Sequence, residues 1–361
     1  MKKTYFICIA FYTLFCILFS GADRAFAQDI HFSQYSMTPL MLNPAYTGID
    51  RGDHRAFINY KNQWLGMAEK GAAYRTSSFS YDTHLFAKKF SAGYVGAGIN
   101  AFKDVAGDLK LGTSQLNISI AGIVYVTSSQ AVSGGIQGGY VQKSISTDGM
   151  QWDSQYDNET GAYNASLPTN DVISIPPYHF GDFSAGLAWN YLENRTSAAG
   201  DNQLKVNFGI AAFHINRPKQ KLDPYASTIT DNLYSKFVIH GDAHIGIANT
   251  NYGIMPSVVL FKQGKCYELD LGAMVRWTLK AKSRYTGYVQ GMALSMGAQY
   301  RTNDAVIPML LFEYSNYAVG LSYDINTSSL AKGTRGKGGF EISLRFLTPN
   351  PFNHSSARLL D

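Results

Sequence analysis

The chain has 361 residues, with 31 Lys and Arg against 26 Asp and Glu and a formal charge of +5. So slight an excess is no nucleic-acid signature, and without a Pro- or Ser-rich linker to separate two cores, one domain is the default. Aromatics reach 14%, with 24 Tyr and 34 Gly, while charged residues make up only 16%. That is unusual for a soluble protein but fits a membrane β-barrel, which sets tyrosines at both interfaces and hides polar residues from lipid in its lumen.

The chain opens on an address. Lys2 and Lys3 form a basic region, Tyr5 to Phe19 an apolar run, and Ala25-Phe26-Ala27 a small-x-small site before Gln28, which together predict a cleaved signal peptide over 1–27. The apolar run is short of the ~20 residues a spanning helix needs. Cleavage would remove three basic residues and one acidic residue and leave a charge of +3. Cys8 and Cys16 would go with the signal, so Cys266 could form no disulfide within one mature chain. Cys16 follows a bulky Phe15 and lacks the small neighbours of a lipid-anchor site. No later segment is long and apolar enough to be a membrane helix.

Residues 28–53 read as a short periplasmic segment. Pro39 and Pro44 disfavour regular helix or central strand, and Asn43-Pro44 and Thr47-Gly48 are turn formers around apolar Leu40, Met41 and Leu42. The expectation is a compact irregular piece near the periplasmic mouth. Two roles stay open for it, a contact with partner machinery and a plug that seals the first strand.

From residue 54 the pattern alternates with period two, as a wall with lipid on one side and water on the other requires. In Tyr317 to Asn326, Tyr317, Val319, Leu321, Tyr323 and Ile325 share one face, and Ala318, Gly320, Ser322, Asp324 and Asn326 the other. Strands are expected near 54–63, 73–82, 93–103, 114–126, 131–144, 180–192, 204–215, 235–249, 252–263, 266–279, 289–301, 305–314, 316–326 and 338–347. These make a transmembrane antiparallel β-barrel of about fourteen strands over 54–347, an even number as in bacterial single-chain barrels, with a tail at 348–361. The longest connections, 145–179 and 216–234, follow the fifth and seventh strands and fall on the extracellular side if the N-terminus is periplasmic. The connections at 264–265 and 302–304 are short yet fall on that side too.

Candidate chemistry is sparse. His240, Asp242 and His244 alternate on one strand, where two imidazoles and a carboxylate can bind a transition metal, but as lumen-facing polar residues they need no metal. No G-x-S-x-G elbow singles out a serine nucleophile. Asp153, Asp157 and Glu159 have neither the turn Gly nor the closing Glu of an EF-hand, and read as solvated loop charge. AKGTRGKGG at Ala331 to Gly339, with basic Lys332, Arg335 and Lys337, lacks the P-loop order and reads as an external loop. No cofactor, metal site or enzymatic activity is expected.

FSQYSMTPLMLNPAYTG at Phe32 to Gly48 resembles the opening signature of the PorP/SprF family of type IX secretion system membrane proteins. HRAFINYKNQW at His54 to Trp64 resembles the family's first strand, MQWDSQYD at Met150 to Asp157 part of its long central loop, and FEISLRF at Phe340 to Phe346 its last strand. The resemblance implies a Bacteroidota outer-membrane barrel that works with the type IX secretion and gliding machinery, exports or holds a secreted surface adhesin, and catalyses nothing. One departure is that Leu347 to Asp361 continue beyond the aromatic on which a barrel usually ends. Candidate partner-contact residues are Phe32, Tyr35, Pro39, Leu42, Asn43, Pro44 and Tyr46 in the N-terminal segment, with Trp152 and Tyr156 in the long loop. The expected partners are that machinery, the adhesin and outer-membrane lipids, with no nucleic acid. The rival reading is a passive porin or solute channel, which a polar lumen would also suit.

Overall fold

The computed structural model describes residues 29–49, 54–64, 74–86, 92–107, 110–146, 151–168, 176–194, 203–220, 231–280, 291–328 and 331–348. The expected signal peptide at 1–27 and residues 349–361 of the expected tail lie outside the described residues.

Fourteen strands close into one barrel: β1 (His54–Gln63), β2 (Tyr74–Leu85), β3 (Gly93–Ala106), β4 (Leu111–Thr127), β5 (Gln130–Ser144), β6 (Tyr178–Asn194), β7 (Gln203–Phe213), β8 (Lys236–Gly246), β9 (Tyr252–Gln263), β10 (Cys266–Lys280), β11 (Met292–Arg301), β12 (Ala305–Tyr314), β13 (Tyr317–Asn326) and β14 (Lys337–Thr348). Each pairs antiparallel with its neighbours in sequence, and β1 closes on β14 with His54 opposite Thr348 and Gln63 opposite Gly339. All fourteen expected strands are found, those at 54–63, 252–263 and 305–314 with the same bounds. Among the described residues no helix is long and apolar enough to cross a membrane.

Period-two alternation turns the wall inside out relative to a soluble protein. Ile136 is 66% exposed on the outside, while Gln137, the next residue, is 5% exposed in the lumen. Aromatic pairs mark both rims: Tyr252 with Trp277 and Tyr317 with Phe346 at one, Trp64 with Tyr74 and Tyr140 with His179 at the other. Such girdles anchor a barrel at the two interfaces.

Odd-numbered strands finish at one mouth, and the connections 145–177 and 214–235 both emerge there. This loop mouth also carries the short turns at 264–265 and 302–304, while 128–129, 247–251 and 315–316 turn at the opposite mouth. Both long loops contain local structure, Tyr156–Asp157 pairing with Ala162–Tyr163 and Lys219–Gln220 with Asp231–Asn232. Within the glycine-rich stretch expected to be a loop, Ala331–Thr334 forms one helical turn and β14 begins at Lys337.

The N-terminal segment differs from expectation in place. Residues 29–49 do not sit beside a mouth but run through the lumen, from Asp29 against Gln263 at the loop end of β9 to Gly48 against Asp82 of β2. They form single turns at Tyr35–Met37, Pro39–Leu42 and Pro44–Tyr46, the last two opened by a proline. Pro is favoured at a first helical position because it has no N–H to leave unpaired. So irregular a backbone needs outside partners, and the polar lumen supplies them. Asn59 Nδ2 donates to Met37 O at 3.1 Å, Gln137 Nε2 to Leu40 O at 3.2 Å and Ser133 Oγ to Ala45 O at 2.9 Å. Tyr35, Leu42, Ala45, Tyr46 and Ile49 pack on small inward residues such as Ala121, Ala131 and Ala188. The wall therefore has a core, provided by its own N-terminus.

Glycines let the segment come this close. A Cβ on Gly186 of β6 would overlap the Asn43 carboxamide and one on Gly135 of β5 the Pro44 carbonyl, whereas one on Gly122 of β4 would meet nothing. Gly186→Val is expected to cost about 1–3 kcal/mol by overpacking, lowering the unfolding midpoint of the detergent-solubilised protein. Gly122→Val should leave it unchanged.

Candidate functional site

Asn43 is fully buried at mid-depth in the lumen. Its Oδ1 accepts from Ala45 N at 2.9 Å and caps the turn at Pro44–Tyr46, as Asn favours. Its Nδ2 donates to the backbone carbonyls of Leu187 at 3.1 Å and Ile210 at 3.2 Å, on β6 and β7, which uses both of its hydrogens, and it lies 3.0 Å from His240 Nε2 on β8. The other ring nitrogen of His240, Nδ1, lies 3.2 Å from Tyr46 OH. One carboxamide thus ties the Asn43-Pro44 turn to two adjacent strands and sits against a third.

Nearer the loop mouth a charged network grips Ser33 and Gln34. Their backbone N–H groups donate to the Glu341 carboxylate at 2.8 and 2.9 Å. The Ser33 hydroxyl donates to Asp324 at 2.8 Å and accepts from Lys61 at 3.1 Å and Arg301 at 3.0 Å, which uses its whole hydrogen-bonding capacity. Lys61 and Arg301 also pair with Asp324, at 3.4 and 3.1 Å. The ions come from β1, β11, β13 and β14, so the segment bridges the strands on both sides of the closing seam.

The segment's first described residue is clasped at the loop mouth. His214, just beyond β7, meets Asp29 through Nε2 at 2.5 Å and Asp182 of β6 through Nδ1 at 2.8 Å. Gln263 adds a reciprocal pair, accepting from Asp29 N at 2.9 Å and donating to its carboxylate at 3.0 Å. Burial opposes charge on His214, but Asp182 and Asp29 together outweigh it and hold the imidazolium up to about 9. Burial would likewise raise the Asp29 carboxyl, yet the His214 bond and charge, with Lys236 and Lys143, bring it down to about 2.

A cavity of about 690 Å³ lies above the segment at the loop mouth, floored by Ile30, His31 and Met41 and walled by inward residues of β1 to β8. His31 is held well below the usual imidazole range, first by burial and then by Arg301, Lys61 and Lys236.

The sequence candidates divide in two. Phe32, Tyr35, Pro39, Leu42, Asn43, Pro44 and Tyr46 are all buried inside the barrel. Trp152 and Tyr156 lie outside the strands, in the loop 151–168, Trp152 half-buried and Tyr156 exposed. His240, Asp242 and His244 share the inner face of β8, but His240 is taken up by Asn43 and Tyr46, and Asp242 accepts from Asn207 at 2.6 Å. Among the described residues no group of three or more His, Cys, Asp or Glu is arranged to hold a metal ion. Asp157 closes a turn on the Glu159 N–H at 2.9 Å, and this bond and those from Thr160 keep its carboxyl below the usual range. Asp29, Asp182, His214 and Glu341 carried no local sequence signal, because the partners that hold them in these networks lie 32 to 308 residues away, and Arg301, which also has a local partner in Asp304, reaches Ser33 across 268.

Asn43→Ala leaves the Ala45 N–H without its cap and is expected to destabilise the fold by about 1–3 kcal/mol, read by denaturant unfolding in micelles. Asn43→Asp should not rescue it, because a carboxylate cannot donate to Leu187 and Ile210. The clasp has its own pH signature. The His214 pKa is raised on folding, so its contribution is complete below about pH 6.5 and lost as pH rises through about 9. The Asp29 pKa is lowered, so that contribution is complete above about 3.8 and lost as pH falls to about 2. The stability gap between wild type and His214→Gln should therefore be flat between about pH 3.8 and 6.5, shrink as pH rises from 6.5, and be at its smallest above about 9.

In its barrel the chain is similar to the toluene transporter TbuX of Ralstonia pickettii, with 10% identity, a TM-score of 0.44 and coverage of 86% of this chain and 93% of that one. It is also similar to the CymD monoaromatic hydrocarbon channel, at 12% identity, TM-score 0.41 and coverage of 89% and 94%. CdiB of Acinetobacter baumannii gives 8% identity, TM-score 0.39 and coverage of 81% and 60%. No curated protein matches the chain significantly. The sequence pattern of a type IX secretion family, however, matches residues 25–346, from just before the lumen segment into the last strand of the wall. An outer-membrane β-barrel that holds its N-terminal signature in its lumen, the chain belongs to the PorP/SprF family of type IX secretion system membrane proteins.

Proposed function

We propose that this barrel component of the type IX secretion system exports or holds a surface adhesin in concert with the secretion and gliding machinery, and that it does so as a non-enzymatic scaffold. The observation that carries this reading is the filled lumen. Residues 29–49 occupy the barrel from mouth to mouth and bond to the wall along its length, which suits a fixed platform better than a passive pore. The loop mouth then faces the cell exterior, where Trp152 and the exposed Tyr156 offer an adhesin the aromatic surface that interfaces favour. Phe32, Tyr35, Pro39, Leu42, Asn43, Pro44 and Tyr46 serve the partner indirectly, by holding the platform rigid. The apolar outer belt meets outer-membrane lipid.

Deleting the gene should remove a particular adhesin from the cell surface and impair spreading, as read by surface proteomics and colony expansion. Unchanged surface proteins and spreading would defeat the reading. Purified protein in a planar bilayer should be electrically silent, and a steady open conductance would favour a porin instead.

A further inference from the structure

We propose that the loop-mouth cavity is a binding site for a small organic carboxylate, with the Lys236 ammonium receiving the carboxylate.

The cavity's volume, about 690 Å³, falls within the range of small-molecule sites. Two of its lining groups are donors without an acceptor. Lys236, at the loop end of β8, is only 9% exposed. Its Nζ lies 6.0 Å from the ring centre of Phe213 and 5.0 Å from that of Phe261, and it has no hydrogen-bond or ion-pair partner among the described residues. The ring faces favour a cation, yet they leave its three N–H donors unused. Asn100, on the inner face of β3, is 1% exposed; its Oδ1 accepts from Gln137 at 3.0 Å, while its Nδ2 has no partner. Buried donors of this kind are costly unless something supplies acceptors.

The charges of Asp29 and Glu268 are felt by Lys236, but neither carboxylate bonds to it, and Glu268 pairs instead with Arg301 and His31, each at 3.5 Å. Asp29 is bound by His214 and Gln263, Asp182 by His214 and Gln115, and Asp104 by Thr76. Lys143, the next cation along the wall, donates to Gln220 at 3.2 Å. One uncommitted ammonium, with no free guanidinium fork beside it, suits a monoanionic carboxylate better than a phosphate. Phe102 and Phe180 line the wall and give the body of the ligand apolar surface. Sugar acids and acidic peptide ends share this chemistry.

The test is calorimetric titration of the full-length protein in detergent with N-acetyl-L-phenylalanine, with its uncharged carboxamide, and with D-glucuronate. At least one acid should bind, and the carboxamide should bind at least about tenfold more weakly than N-acetyl-L-phenylalanine if that is the acid accepted. Lys236→Met, which keeps the apolar stem, should weaken acid binding by a similar factor. Preference for glucuronate would point to a sugar-acid source, and preference for the acetylated amino acid to a peptide source. Equal binding of acid and carboxamide, or no binding of either acid below about 10 mM, would overturn the proposal. The acid and carboxamide comparison needs no variant, so a folding defect in Lys236→Met leaves it decisive. None of these outcomes depends on whether the protein serves an adhesin.

Discussion

A strand edge cannot be left open in hydrocarbon, because each backbone N–H and C=O without a partner there costs several kcal/mol. β1 and β14 are therefore obliged to meet, and their register, running unbroken from His54 and Thr348 to Gln63 and Gly339, closes the only edges the meander would otherwise expose. Everything inside follows from that closure. A wall that turns Ile, Leu and Val outward must turn Asn, Gln, Ser and charge inward, and fourteen strands enclose more space than their own inward side chains fill.

The N-terminal segment occupies that space and resolves two problems at once. Its own backbone is too irregular to pair with itself, and the lumen is too polar to be left dry. Asn43, Ser33 and Asp29 each join the segment to several strands, at mid-depth, below the loop mouth and at its rim. The Ser33 network matters most for the seam, since Lys61 of β1 and Glu341 of β14 both converge on Ser33 and Gln34. Segment and seam thus reinforce each other. With the lumen braced in this way, the loop mouth carries the cavity and the clasp, and the long loop that holds Tyr156 emerges at the same end.

Much of this was legible in the sequence. Strand positions, their number and the two long loops on one side could be read from period two alone, because the alternation of lipid and water across a wall is imposed residue by residue. The irregularity of the segment at Phe32 to Gly48 was equally plain from Pro39, Pro44 and the turn-forming pairs. Its place was not. Nothing local distinguishes a proline-rich piece beside a mouth from one threaded through the lumen, and the glycines that admit it, Gly135 and Gly186, look like ordinary breaks in alternation. His240 also marks a limit of pattern reading: its spacing with Asp242 and His244 places it on the inward polar face, but gives no hint of its partners, Asn43 and Tyr46, which lie almost two hundred residues earlier.

The sequence by itself thus determined the wall, since each strand's inward and outward faces are set by neighbouring residues. The tertiary structure alone decided what the wall contains. Asp29 meets His214 across 185 positions and Ser33 meets Glu341 across 308. Such pairings exist only once closure has brought distant strands around the same few residues.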